Sequence, residues 1–316
     1  MSGAVWLPGE RRTTVTVGTF DGVHRGHRAV LEEIVRRALS TGRASALVTF
    51  DPHPLEVVAP ERAPCLLTTM AEKRFLWPQF GLDYVHVLRF TPALREMEPG
   101  SFVREILVGR LRVAELVIGY DHGFGKNRSG DVDTLRSLGG ELGFDVDVVG
   151  PVESEGEADA VSSTGIRKAV AEGDLAAAAR GLGRPYEALG EVVEGSGRGR
   201  ELGFPTANLR FGPRKCLPPD GVYAVRIELG GERTGGMANL GPRPTFGEPE
   251  RRFEVHLFEG PDRPLYGARP SVAFVKRLRE VREFSGADEL TAQLERDEAA
   301  ARAALSAGRA GGVEVA

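Results

Sequence analysis

Residues 14–27, TVTVGTFDGVHRGH, predict a short strand, a glycine-rich turn and the start of a helix. Val15 and Val17 are β-branched and alternate with threonines, which is typical of a strand. Such a turn presents backbone N–H groups and the positive end of the helix dipole, where phosphate commonly binds. The apolar residues that follow share one helical face, before Thr41-Gly42 ends the run: Val30, Leu31, Ile34, Val35, Ala38 and Leu39.

Two histidines stand at the mouth of this predicted helix. His24 and His27 are three residues apart, so their side chains can act on one ligand. The stretch fits a metal site, a nucleotide site or a tight turn with exposed imidazoles. The metal hypothesis lacks a third ligand type nearby. The glycines together with the two histidines favour nucleotide binding over a turn without function.

Length, charge and composition narrow the classes of protein that the sequence can represent. The length of 316 residues favours two domains. The net charge of -4 does not indicate a basic surface for binding nucleic acid. No stretch is apolar enough to span a bilayer, and residues 1–12 do not form a signal peptide. Cys65 and Cys216 are far apart in sequence and predict neither a metal site nor a disulfide framework. We therefore expect a cytoplasmic protein without nucleic-acid or membrane partners, a monomer or weak homo-oligomer.

The first half of the sequence alternates strands with amphipathic helices. This order predicts parallel strands joined by right-handed crossovers, with ligands beyond the carboxyl ends of the strands. The turn 18–26, the DPHP turn at 51–54 and the loop 119–131 would gather there. The predicted strands after the first are 45–50, 84–88, 115–119 and 144–149, and the predicted helices are 27–40, 69–80, 98–111 and 131–142.

The second half changes pattern. From Tyr186 onward, six strand-like runs follow one another without intervening helices, which predicts a small closed β-barrel. A final helix is expected after Ser285, with Asp288 in capping-box spacing. Gly183-Arg184-Pro185 would be the hinge, which divides the chain into domains 1–183 and 184–316.

The first domain resembles the HxGH nucleotidyltransferases. GTFDGVHRGH (18–27) is similar to the signature of the bacterial bifunctional riboflavin kinase/FAD synthetases, which implies a Rossmann-like α/β domain. The resemblance implies that His24 and His27 contact ATP phosphates and stabilise charge on the α-phosphorus. SSTGIR (162–167) resembles the second motif, in which Ser163 and Thr164 hold phosphate oxygens and Arg167 counters developing charge. Other nucleotide-binding positions implied here are Gly18, Phe20, Asp21, Gly22 and Asp121. His122 receives no catalytic role, and Lys126 is a candidate phosphate contact.

The second domain resembles the flavokinases, which are antiparallel barrels. EGSGRGRELGFPTANL (194–209) is similar to the family's glycine-rich arm and PTAN motif. Thr206 and Asn208 alternate along a strand, and their oxygens suit Mg²⁺. Glu254 resembles the general base that takes the proton of the ribityl 5′-hydroxyl. The nucleotide-binding positions implied in this motif are Gly197, Gly199, Gly203 and Pro205.

The resemblance therefore implies two ATP-dependent reactions with Mg²⁺. Riboflavin would be phosphorylated to FMN by the barrel, and FMN adenylylated to FAD, with release of pyrophosphate, by the first domain. Two alternatives remain open: an enzyme in which only one domain is active, and a barrel that senses flavin or binds nucleic acid. Intact motifs in both halves argue against the first, and the acidic charge with the Thr206, Asn208 and Glu254 set argues against the second.

Overall fold

The computed structural model describes residues 10–120, 132–152, 160–195, 199, 202–243, 248–260 and 264–307. The chain divides into two compact units, Met1–Ser163 and Thr164–Ala316. The domain boundary that the sequence predicts, between 183 and 184, stays a prediction.

The first unit is built on a five-stranded parallel sheet with the order β3-β2-β1-β4-β5. Because β1 lies in the centre and the chain proceeds to either side of it, the strand order reverses there. Ligands of such sheets bind at this switch point, beyond the carboxyl ends of the strands. The strands are β1 Thr13–Val17, β2 Ala44–Asp51, β3 Tyr84–Arg89, β4 Val113–Gly119 and β5 Asp145–Val149.

Helices cover both faces of this sheet, as expected for parallel strands. On β4, Leu116 and Ile118 face one apolar cluster while Val117 faces another. The first cluster includes Phe102 and Val103, and the second includes side chains of the first helix and Trp77. The helices are α1 Arg25–Thr41, α2 Pro54–Val58, α3 Met70–Leu76, α4 Pro92–Arg95, α5 Pro99–Phe102 and α6 Val132–Leu142, with 3₁₀ turns at Pro60–Arg62 and Trp77–Phe80 and a π-helical turn at Val103–Val108.

The ends of α1 follow from its sequence. His24 is the N-cap, and Gly42 ends the helix in the left-handed conformation with φ 65°. The prediction of a helix over 27–40 is confirmed, with the helix beginning at Arg25. The predicted helix 69–80 is two segments, because Pro78 cannot donate the hydrogen bond that would continue α3 as an α-helix.

A charged cluster ties α1 to two strands. The Arg37 guanidinium contacts the carboxylates of Glu33 (2.6 Å), Glu115 (2.6 Å) and Asp147. Glu115 also accepts from Arg43 at 3.2 Å. A hydrogen bond from Arg36, with further help from Arg37, lowers the pKa of Glu33 to about 2.

The second unit begins with α7 Ser163–Glu172, whose first residue belongs to the first unit, and α8 Leu175–Leu182, and continues as a closed barrel. The barrel order is β10-β7-β6-β11-β8-β9, and each pairing between neighbours is antiparallel. Aromatic rings fill its interior: the ring centroids of Phe253 and Phe274 are 5.6 Å apart, and those of Tyr223 and Phe274 5.4 Å. The strands are β6 Tyr186–Val193, β7 Ala207–Phe211, β8 Gly221–Leu229, β9 Glu232–Arg243, β10 Glu248–Leu257 and β11 Ser271–Arg279.

The last helix, α9 Ala287–Ala307, packs on the outside of the barrel. Ala301 and Leu305 join Phe204, Ala224 and Met237 in an apolar cluster. Ser285 bonds a different carboxylate from the one that the sequence predicted. Its N–H and hydroxyl bond the Glu289 carboxylate at 3.0 and 2.7 Å rather than Asp288, because the helix begins two residues after Ser285.

The structure bears on two expectations drawn from the composition, one on the cysteines and one on membrane-spanning helices. The prediction of two isolated thiols is wrong, since the described residues include no free cysteine. Across the described ranges, no helix is long and apolar enough to cross a membrane.

Candidate functional sites

The turn after β1 has an unusual backbone. Phe20 and Val23 adopt positive φ values of 48° and 42°, and Gly22 lies between them with φ 88°. Non-glycine residues in this region cost free energy, so the surrounding structure must hold them. The Gly18 N–H donates to Val48 O at 3.0 Å, which fixes where the turn leaves the sheet.

Asp21 holds the turn from within the protein. Its carboxylate is completely buried and accepts from the N–H groups of Leu67 (3.1 Å) and Thr68 (2.9 Å) and from the Thr68 hydroxyl (3.3 Å). The Gly22 N–H donates to the Thr68 hydroxyl at 2.8 Å. The Asp21 carboxylate thus binds the backbone of 67–68, and its predicted contact with nucleotide stays a prediction.

The two histidines lie together at the start of α1. Their rings stack with centroids 3.6 Å apart and planes at 19°. The N–H of His27 donates to Nδ1 of His24 at 3.3 Å, so the His24 ring also caps the helix. His24 is 6% exposed and His27 is half-buried, and the Phe20 ring lies 4.8 Å from that of His27. The structure therefore brings both imidazoles and the positive end of α1 to the switch point of the sheet.

The second motif begins at the end of the first unit. The Ser163 hydroxyl donates to the Asp21 carbonyl at 2.8 Å, so Ser163 reaches the backbone of the signature turn. Thr164, exposed, and Arg167, half-buried, follow in α7 and belong to the second unit.

A cavity of about 140 Å³ opens beside the barrel. Glu254 lies in its wall and is 9% exposed, whereas the strand pattern alone predicts a solvated carboxylate. Thr206 and Asn239 also line it, and Asn239 is the register partner of Glu254 on β9. The neighbouring residues of β10, Phe253 and Val255, are buried in the barrel as the alternation predicts. Apolar lining comes from Phe204, Met237, Phe284, Leu290 and Leu294.

Two glycines of the arm lie tightly against the PTAN segment. A Cβ added at Gly195 would come within 1.9 Å of Asn208 Nδ2. One at Gly199 would come within 2.4 Å of Phe204 O and 3.2 Å of Thr206 Oγ1. At Gly199 the obstacle is backbone, so only glycine fits there, whereas a Cβ at Gly195 would displace the Asn208 side chain.

The PTAN residues do not line one cavity. Thr206 faces the cavity of Glu254, whereas Asn208 lines a second one of about 400 Å³. Thr206 precedes β7, so the strict alternation expected from a strand does not extend to it. Asn208 is 8% exposed and is the register partner of Glu254 on the adjacent strand. The second cavity carries five basic side chains: Arg210, Arg214, Lys215, Arg251 and Arg252.

The outer wall of the first cavity is tied to α9. Arg279 donates to the Asp297 carboxylate through Nε at 3.0 Å and through Nη2 at 2.7 Å. Gln293 donates to the same carboxylate at 2.8 Å. The guanidinium groups of Arg279 and Arg282 lie 5.5 and 4.7 Å from the ring centroid of Phe284. Sequence reasoning missed these residues, because they contact one another only after the chain folds.

The remaining predicted positions have simpler surroundings. Gly203 is exposed with φ 81°, and the Pro205 carbonyl lies 2.9 Å from His256 Nδ1. His53, in the DPHP turn, accepts from the Leu55 N–H at 3.2 Å and caps α2. Asp121, His122, Lys126 and Gly197 lie outside the described residues.

Comparisons with known proteins match both halves of the chain. The family model for FAD synthetase matches residues 8–165, and that for riboflavin kinase matches 182–305. The bifunctional riboflavin kinase/FMN adenylyltransferase of Pseudomonas fluorescens is 40% identical over 297 residues, which are 94% of each chain. Its namesake from Escherichia coli K12 is 39% identical over 289 residues, 91% of each chain. A solved Streptococcus pneumoniae structure, described as a macrolide-efflux protein, is 30% identical with a TM-score of 0.81 and covers 93% of this chain and 95% of its own.

Proposed function

Because the chain belongs to the family of bifunctional riboflavin kinase/FMN adenylyltransferases, we propose that each of the predicted domains, 1–183 and 184–316, carries one of the two reactions. The enzyme is a transferase that phosphorylates riboflavin to FMN and transfers AMP from ATP to FMN. The observation that carries the assignment is the buried carboxylate of Glu254 beside Thr206 in a barrel cavity.

FMN adenylylation is assigned to the turn after β1. The phosphate oxygen of FMN attacks the α-phosphorus of ATP, the bond to the β-phosphate breaks, and pyrophosphate leaves. Charge grows on the oxygens of the α-phosphate and on the leaving group. His24 and His27, stacked at the positive end of α1, are placed to donate hydrogen bonds to these oxygens. Ser163, Thr164 and Arg167 are proposed to complete the phosphate contacts, with 1–183 as the adenylyltransferase domain.

Riboflavin phosphorylation is assigned to the barrel, 184–316. The isoalloxazine would pack on apolar residues of the first cavity such as Phe204, Met237 and Phe284. The ribityl 5′-oxygen then attacks the γ-phosphorus of ATP, Glu254 takes its proton, and ADP leaves. A buried carboxylate beside a hydroxyl substrate is suited to this role because little water competes for the proton.

The ATP phosphates of the kinase are proposed to enter from the second cavity. Five basic side chains and one carboxylate, that of Glu194, line it, so its charge favours an anionic group such as a triphosphate. Gly195 lies against Asn208 at the rim of this cavity, where its backbone N–H can approach phosphate. Glu254 and Asn208 are register partners, so the γ-phosphate would stand between the two cavities.

Mg²⁺ is proposed at the same junction. A hydroxyl and an amide oxygen, from Thr206 and Asn208, fit a hard cation that keeps waters and also binds phosphate. Glycine at 195 and 199 lets the backbone lie close to these two side chains, where a Cβ would clash with the Asn208 amide and with Phe204 O. When bound, Mg²⁺ would neutralise charge on the β- and γ-phosphates. The Thr206→Val enzyme should need more Mg²⁺ for half-maximal kinase rate, Thr206→Ser should not, and equal titrations for all three would refute a metal role.

Two variants test the assignment of reactions to the two domains. Glu254→Gln should lower the rate of FMN formation by about 10²–10⁴-fold and leave FMN-to-FAD conversion intact. His27→Ala should slow FAD formation and leave the kinase intact. Each enzyme is incubated with MgATP and riboflavin or FMN, and products are separated by chromatography. Loss of both activities in either folded variant would contradict the assignment.

The remaining expectations concern the molecule in the cell. We propose a cytoplasmic enzyme that is a monomer or weak homo-oligomer and takes riboflavin, FMN and ATP, without nucleic-acid or membrane partners. The net charge of -4 supports the exclusion of nucleic acid. Size-exclusion chromatography with light scattering measures the oligomeric state.

A further inference from the structure

We propose that Lys73 is a positioning residue for adenylyl transfer, and this inference rests on the function proposed for the turn after β1. Lys73 lies in the last turn of α3 and is 4% exposed. Its Nζ donates to the Thr19 carbonyl at 2.6 Å. No motif singled it out, and a helical lysine is usually solvated.

The Lys73 ammonium group is buried although its neighbours in α3 are exposed. Arg74, the next residue of α3, is exposed, and so is Phe75. A charged group is seldom taken out of water unless hydrogen bonds or opposite charge compensate for the lost hydration. The helix is fixed at its start by the reciprocal bonds of Thr69 and Glu72, so Lys73 is presented to the turn by a rigid element.

The Lys73 hydrogen bond is made next to the strained part of the turn. Thr19 immediately precedes Phe20, the first residue with positive φ. The Thr19 carbonyl also accepts from the Thr49 hydroxyl at 3.3 Å, so two donors hold one peptide group. Such conformations persist only where neighbouring structure determines them.

Residues 67–73 therefore bind the turn at two points. Residues 67–68 bind the carboxylate of Asp21, and Lys73 binds the carbonyl two residues before it. The ring of Phe20, which lies between the two points, packs 4.8 Å from that of His27. Lys73 thus acts on the reacting phosphates through the turn, by setting where Phe20 and His27 lie. Its charge also adds positive potential beneath the site where ATP phosphates are proposed.

The test compares substitutions that keep or remove the charge. Lys73→Met should lower kcat for FMN adenylylation on the order of 10- to 100-fold, because small misplacements of catalytic groups have such effects. Lys73→Arg should recover a large part of this loss, since it keeps a cationic donor. Arg74→Met, which removes a neighbouring exposed charge, is the matched control and should match the wild type.

The readouts separate positioning from folding and from the proposed function itself. KM for FMN and ATP should change little while kcat falls, and the riboflavin kinase rate of the same samples should stay at the wild-type value. Full adenylylation by folded Lys73→Met, or equal loss in Lys73→Arg and Lys73→Met, would overturn the inference. If Lys73→Met does not fold, Thr49→Val is used instead, because it removes the other donor to the Thr19 carbonyl. An unchanged kcat for adenylylation in Thr49→Val overturns the inference. A wild-type chain unable to make FAD refutes the proposed function instead.

Discussion

Asp297→Asn is the most direct test of how the wall of the first cavity is held in place. The Asp297 carboxylate is 4% exposed and accepts hydrogen bonds from Arg279 and Gln293. Asp297→Asn keeps the shape of the side chain but removes its charge. The Arg279 guanidinium, whose side chain is 19% exposed, would then be left without its anion and with only partial access to water.

The size of the effect follows from this burial. Removing one partner of a buried ion pair costs about 3–5 kcal/mol. Water reaches part of Arg279, so we expect the lower end, about 3 kcal/mol of unfolding free energy for the second unit. That corresponds to a fall of about 6–12 °C in its Tm. Because Arg279 also lines the cavity, the KM for riboflavin should rise while FMN adenylylation is unchanged.

Thermal unfolding followed by circular dichroism measures the loss, and product chromatography measures the two activities. The matched control is Glu298→Gln, on the same helix, which breaks the exposed pair with Arg302 and should cost about 0.3–0.5 kcal/mol. If Asp297→Asn loses no more stability than Glu298→Gln, the ion pair does not hold the wall and the reasoning fails.

Two further predictions concern the arm and the charged cluster. Gly195→Ala should lower the kinase kcat and leave adenylylation intact, because the new Cβ displaces the Asn208 amide; an unchanged kinase rate would show that this close approach is not needed. The pKa of Glu33 is lowered to about 2, chiefly by Arg36, and that of Asp147 is lowered, chiefly by Arg37. Both carboxylates therefore stabilise the fold above their unfolded pKa. The contribution of Glu33 is lost as the pH falls from 4.5 towards about 2, and that of Asp147 is lost as the pH falls below 3.8. Arg37→Met should flatten the fall of Tm over this range, and equal acid profiles for both proteins would contradict the cluster's role.

Much of the fold was readable from local sequence. The strand, turn and helix at residues 14–42 follow from β-branched alternation, glycine spacing and a single apolar helical face. The change of pattern at Tyr186 likewise predicted a small closed barrel, which is confirmed. These features are encoded by neighbouring residues, so they need no knowledge of distant contacts.

The parts that escaped prediction depend on residues far apart in the chain. Lys73 and Thr19 are separated by 54 positions, and no periodicity reveals that the ammonium is buried. Glu254 alternates with apolar residues as a solvated strand residue would, and its burial comes from the cavity beside it. The division of Thr206 and Asn208 between two cavities depends on where β7 begins. The roles assigned to the site residues stay predictions.

The strand order of the barrel also bears on how the chain is made. β6 pairs with β11, with Tyr186 opposite Phe274, so the barrel cannot close until a ribosome has released nearly the whole chain. The parallel sheet is complete once β5 ends at Val149. Domains generally fold as units, N-terminal first, during synthesis. We therefore expect the adenylyltransferase sheet to form while the kinase strands are still being translated, and the nascent barrel to be the species that depends on chaperones.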